Sequence, residues 1–117
     1  MTPSPEMQTA IRQLIAKQPQ EAQAQLAADF EIAEMESINP FGSILSFRRP
    51  GYTSNPRSGQ MPLPVEGVVE DADGALLDVV LYVDPNGGLY ELELLRWADG
   101  YVKRPNWSTF TVKSPET

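Results

Sequence analysis

Apolar and polar residues alternate along residues 65–97, VEGVVEDADGALLDVVLYVDPNGGLYELELLRW, in three segments separated by two turn signals. Successive side chains of a strand point to opposite faces, so a valid register must set apolar residues against apolar residues on one face. Pro85-Asn86-Gly87-Gly88 reads as a four-residue loop closing on Asp84 and Leu89, which pairs Val83 with Tyr90, Leu81 with Leu92 and Val79 with Leu94. Ala72-Asp73-Gly74 reads as a three-residue loop with its glycine in the left-handed region, which sets Val69 opposite Leu77, Gly67 opposite Val79 and Val65 opposite Leu81. The two turns, read separately, give the same apolar face. The reverse face then carries Glu66, Val68, Glu70, Asp78, Val80, Tyr82, Glu91, Glu93 and Leu95.

Upstream the period changes. Ser4-Pro5-Glu6 is a helix start, with serine as the cap and proline at the first helical position, and Met7, Ile11, Leu14 and Ile15 recur at helical spacing. Pro19 biases Gln18 out of the α region, so a turn at Lys17-Gln18 and a second helix from Pro19 to about Ala28 are expected. Phe30 and Ile32 alternate with Glu31 and Ala33, which predicts a strand over 30–37 bent near Ala33-Glu34. Asn39-Pro40-Phe41-Gly42 joins it to a second strand at 43–47. Residues 48–64 have no period and hold three of the nine basic residues. Arg48, Arg49, Tyr52 and Arg57 could form a basic arm there, or the arginines could pair with nearby carboxylates. Downstream, Asp99-Gly100 predicts a two-residue hairpin with Ala98 opposite Tyr101 and Trp97 opposite Val102. Residues 107–113 follow as an edge strand, with Trp107, Thr109 and Thr111 on one face and Phe110 and Val112 on the other. The predicted architecture is a single α+β domain over 1–117: helical at 4–28, sheet at 30–113, an irregular loop at 48–64. An N-terminal helix or helix pair packs on a curved antiparallel sheet of about five to six strands that includes the C-terminal β-meander.

Composition narrows the chemistry. The 117 residues suit one domain, and 41% hydrophobic with 21% charged residues is a globular balance. There is no cysteine and no histidine, which removes the disulfide framework, the commonest zinc ligands and the side chain most used for acid–base work near neutral pH. The net charge of −7 opposes nucleic acid and anionic membrane and favours a basic protein. No apolar run reaches the roughly 20 residues of a membrane span, and MTPSPEMQTA lacks a basic, apolar leader, so a cytoplasmic location is expected. Glu91 and Glu93, with Glu66 and Asp78 on neighbouring strands, could serve glycoside hydrolysis or hold a cation, but they stand on rigid strands without a metal loop. Asp71-Ala72-Asp73-Gly74 resembles a calcium-loop opening but lacks the closing glutamate, position 82 being tyrosine. The reading therefore leans away from an enzyme, with no cofactor, metal or catalytic residue assigned.

Gly88, Tyr90, Glu91, Leu92, Glu93, Leu94, Arg96, Asp99, Gly100 and Pro105 carry a resemblance. The run from Asp71 to Pro105 resembles the C-terminal half of a group of small bacterial proteins with a G-x-L-x-E-L-E segment and an Asp-Gly turn leading to a proline. Proteins of this kind resemble cytoplasmic immunity proteins of toxin systems. The resemblance implies an immunity-type protein; the acidic face and the arginine loop suit non-enzymatic docking of another protein, a basic toxin in that case, and the oligomeric state, monomer or homodimer, stays open. The expected partner-binding residues are Glu66, Asp78, Tyr82, Glu91 and Glu93 on the sheet and Arg48, Arg49, Tyr52 and Arg57 in the loop. The competing reading is a small-molecule-binding or enzymatic domain with a pocket between helix and sheet.

Overall fold

A computed structural model describes residues 2–51 and 59–113; Tyr52 and Arg57 lie outside the described residues. The elements are α1 (Pro5–Ala16), α2 (Gln20–Ile32), β1 (Glu34–Ser37), β2 (Ile44–Arg48), β3 (Met61–Pro62), β4 (Gly67–Glu70), β5 (Leu76–Val83), β6 (Leu89–Arg96) and β7 (Asn106–Val112). Six strands run in the order β1-β2-β6-β5-β4-β7, with β3 also paired to β5. The sheet is antiparallel and curled, and both helices pack on one side of it, which gives the expected α+β architecture.

α1 starts where the sequence places it: the Ser4 side chain accepts the Met7 N–H at 3.2 Å, and Pro5 holds the first position. Its stripe of Met7, Ile11, Leu14 and Ile15 is buried against the sheet. α2 runs four residues further than expected, so the strand predicted from Phe30 is corrected to one beginning at Glu34. Phe30 lies one helical turn beyond Leu26, and both are buried; Phe30 meets Phe47 edge-on at 6.1 Å and takes the Arg12 guanidinium over its ring. A helix turns Leu26 and Phe30 inward together, whereas a strand at Phe30 would not.

The meander forms with Leu81 opposite Leu92, Val79 opposite Leu94, Gly67 opposite Val79 and Val69 opposite Leu77. Leu77, Leu81, Leu89 and Leu92 are fully buried beneath the helices. Two local registers differ from expectation. The β5–β6 loop is three residues, Pro85–Gly87, because the Asp84 carboxylate accepts the Asn86 and Gly88 N–H groups and tightens the turn; the Asp84 N–H donates to Gly88 O, and Gly87 takes φ 83°. Val83 therefore faces Leu89 rather than Tyr90, across a bulge. The second difference is at Leu81, whose carbonyl accepts from the Leu63 N–H at 2.8 Å, so Val65 is not its partner. Pro62 and Pro64 cannot donate to a ladder, and the strand breaks between β3 and β4. The buried Gln18 carboxamide fills the break: it donates to Val65 O at 2.8 Å and accepts from Val65 N at 3.2 Å, standing in for a peptide unit.

The Asp99-Gly100 hairpin does not form. β6 ends at Arg96, and the chain crosses the β4–β5 turn so that β7 pairs with β4 instead of β6. Asp71 redirects it: its carboxylate accepts the main-chain N–H of Lys103 (2.9 Å), Arg104 (2.7 Å) and Ala72 (2.8 Å) and the Arg96 guanidinium (2.8 Å). Arg96 also grips Asp73 with both terminal nitrogens and donates from Nε to Asp99 O. β7 carries a bulge opposite Val68 to Glu70, where the Thr109 hydroxyl accepts the Glu70 N–H. The bulge brings Trp107 onto the face of Phe110, their centroids 6.3 Å apart and both packed on the core, which corrects the expected separation of these rings.

Candidate functional site: the outer face of the sheet

Cross-strand partners share a face, so the ladder registers trace rows across the side of the sheet away from the helices. One row is Glu36, Ser46, Glu91, Tyr82 and Pro62; the next is Ile44, Glu93 and Val80; the third is Leu95, Asp78, Val68 and Thr111. Glu66, Asp78, Tyr82, Glu91 and Glu93 are thus brought together as the meander register implied. Two further glutamates, Glu34 and Glu36, join them from β1. They escaped the sequence reading because they reach this face only through the pairing of β2 with β6, between residues about fifty positions apart, which no local pattern encodes.

The carboxylates fall into two groups. Asp78 and Glu66 are engaged: the Lys113 ammonium lies 2.6 Å from Asp78 and 3.4 Å from Glu66, and the exposed Trp97 ring donates its indole N–H to Asp78 at 2.7 Å. Glu91 and Glu93 have no cation within ion-pair distance among the described residues. The Tyr82 hydroxyl donates to Glu93 at 2.8 Å. Burial and that bond to a carboxylate push the Tyr82 hydroxyl up to about 12, and partial burial followed by the charge of Glu93 raises Glu91 above its ordinary value. Ile44 is half-buried and Val80 buried between these charged groups.

The arginines separate. Arg48 stands exposed at the rim of the outer face, bonded to Glu34 at 2.7 Å. Arg49 points the other way and is 7% exposed, with Nη1 3.2 Å from Asp29 and Nη2 3.0 Å from Asp84. The expected basic arm is therefore corrected at Arg49, which ties α2 to the β5–β6 turn and is not offered to a partner. Asp29 also accepts the Leu89 N–H, and Gly88 leaves the space the guanidinium occupies, since a Cβ there would overlap it. The carboxylates buried between α2 and the sheet are thus both committed to Arg49. Open clefts lie at the surface: one of about 560 Å³ beside β1, one of about 470 Å³ bounded by the start of α1, the crossover and the first residues of β7, and one of about 220 Å³ between α1 and β7. Among the described residues no acidic cluster is placed to hold a metal ion, and no helix is long and apolar enough to cross a membrane.

A family model described as a domain of unknown function, DUF6984, matches residues 2–105. The chain belongs to this family. The DUF6984 match takes in both helices, β1 to β6 and the crossover, and stops short of β7. No curated protein and no solved structure matches the chain.

Proposed function

We propose that the outer face of the sheet is a docking surface for a basic protein, with Glu91 and Glu93 at its centre. The observation that carries this reading is the pair of adjacent carboxylates without a cation among the described residues, set in a row between Ile44, Val80 and Tyr82. Glu91 is partly buried and stands beside a like charge on a rigid strand, and its raised carboxyl reflects first that burial and then the opposition of Glu93. A lysine or arginine from a partner would pair with these carboxylates, while half-buried Ile44 and the Tyr82 ring supply apolar contact. Arg48 at the rim, already paired to Glu34, would set the orientation of the partner.

The net charge of −7 extends the attraction beyond contact range and raises the rate of encounter with a cationic surface. In its sharper form the proposal is an immunity-type role: the acidic face fills the basic groove of a toxin and keeps its substrate out. The charge and the resemblance of the C-terminal meander support that form. The test is affinity capture from the native host with wild type and with the double variant Glu91→Lys/Glu93→Lys. A basic protein retained by wild type, released by salt and lost from the double variant is the expected result. Equal retention of the same protein by both rules out this face.

A further inference from the structure

The two edges of the sheet differ in their protection. β1, at one edge, is four residues long and carries Glu34 and Glu36. β7, at the other, is seven residues long, NWSTFTV, with no charged residue and no proline, in a chain where 21% of residues are charged. Charges, prolines and bulges on an edge strand are the usual means of preventing another strand from adding to it; β7 has no charge and no proline, and its bulge lies on the N-terminal side of Thr111, where the regular pairing of Thr111 with Val68 and Val112 with Gly67 begins. Its residues are also good strand formers, Trp, Phe, Val and two threonines.

The main chain of β7 fixes how a strand could add. The Lys113 N–H donates to Glu66 O, and Thr111 pairs with Val68, so residues 111 and 113 direct their main-chain groups toward β4. By the alternation of an antiparallel ladder, Phe110 and Val112 direct theirs outward. These two residues flank Thr111 symmetrically. We propose that β7 pairs antiparallel with β7 of a second copy of this chain, about a two-fold axis through Thr111, to give a homodimer with one continuous sheet. In that register Phe110 exchanges both main-chain bonds with Val112 of the other copy, and Val112 with its Phe110. The side chains match as well. Phe110 and Val112, both half-buried in one copy, meet on the helix side, and Thr111 meets Thr111 on the outer side, where it is exposed. Aromatic with β-branched and threonine with threonine are favourable cross-strand pairs. A self-complementary edge is what an isologous two-fold contact requires. The strand lies beyond the residues matched by the DUF6984 model and apart from Glu91 and Glu93, so dimerisation is separable from docking on the acidic face.

The chain has no cysteine, so a single introduced thiol reports on contact between copies alone. Thr111 is a non-hydrogen-bonded pair across the axis, with Cα atoms about 4.5 Å apart, within disulfide reach. Thr111→Cys in the full chain is expected to cross-link to twice the 13.0 kDa chain mass under mild oxidation. Leu76→Cys, also exposed but at the start of β5, which β4 separates from the β7 edge, is expected to remain single. Sedimentation equilibrium of wild type should show the doubled mass, and Thr111→Lys, which sets like charges face to face, should weaken the association by about fivefold or more while leaving the circular dichroism unchanged. Cross-linking of Thr111→Cys no faster than Leu76→Cys overturns the proposal, whether or not Thr111→Lys folds. So does a wild-type protein that sediments as a single chain up to about 1 mM.

Discussion

Replacing Asp71 by alanine should release the C-terminal crossover. The Asp71 side chain is fully buried beside Arg96, and its two oxygens serve the N–H groups of Ala72, Lys103 and Arg104 and the Arg96 guanidinium. A hydrogen bond to a charged group contributes roughly 1.5–3 kcal/mol, and removing one member of a buried ion pair costs about 3–5 kcal/mol. Arg96 keeps Asp73 and the Asp99 carbonyl, and water can reach some of the freed N–H groups, so the loss falls near the single-pair figure, about 3–5 kcal/mol, rather than the sum. For a domain of this size with a total stability of about 5–15 kcal/mol, that lowers the melting temperature by roughly 12–25 °C. Urea unfolding followed by tryptophan fluorescence measures it, with Trp107 on β7 reporting the strand that the crossover delivers. The same site predicts acid sensitivity. Burial works to raise the Asp71 carboxyl, but the three main-chain donors and Arg96 outweigh it and hold it below its ordinary 3.8. A depressed carboxyl contributes stability that is complete above its unfolded value and lost as pH falls through the folded one, so the gap between wild type and Asp71→Ala should narrow below about pH 4. A variant within about 1 kcal/mol of wild type at pH 7 would falsify the role given to Asp71.

Two further outcomes follow from groups elsewhere. Gly88→Ala should destabilise by about 3 kcal/mol in a denaturant titration, because the new methyl occupies the position of the Arg49 guanidinium between Asp29 and Asp84; a neutral effect would show that the pair can move aside. Glu91→Gln should stabilise at pH 7, since a carboxyl raised in the folded state binds its proton more tightly there and the fold loses stability as pH climbs through that range. The advantage should vanish well below 4.5, where Glu91 is protonated in both states, and thermal melts at pH 3 and 7 check it.

The legible parts of the fold were those written in adjacent residues. Ser4-Pro5 announced α1, and the Gly74 and Gly87 turns fixed the meander and hence the face bearing Glu66, Asp78, Tyr82, Glu91 and Glu93. What escaped was set by side chains acting across long separations. Asp71 captures the main chain thirty-three residues downstream and cancels the hairpin that Asp99-Gly100 signals, and Gln18 completes the ladder at Val65 forty-seven residues away. Phe30 was misread for a different reason: a two-residue alternation with Ile32 is too short to outweigh its helical spacing from Leu26. Arg49 looked like part of a basic arm because consecutive residues of a strand end read alike in sequence, yet opposite sides of the sheet gave Arg48 water and Arg49 two buried aspartates.

The pairing of β2 with β6 has a consequence for how the chain is made. During synthesis the N-terminal half, with its helices and the β1–β2 hairpin, leaves the ribosome before its neighbour in the sheet has been translated. Loop closure across some fifty residues must precede that contact, which slows folding relative to a domain of local contacts. α2 therefore waits for β6, and α1 longer still for β7, before the strand it packs on has been made, and it is in that interval that a nascent chain would most depend on chaperones.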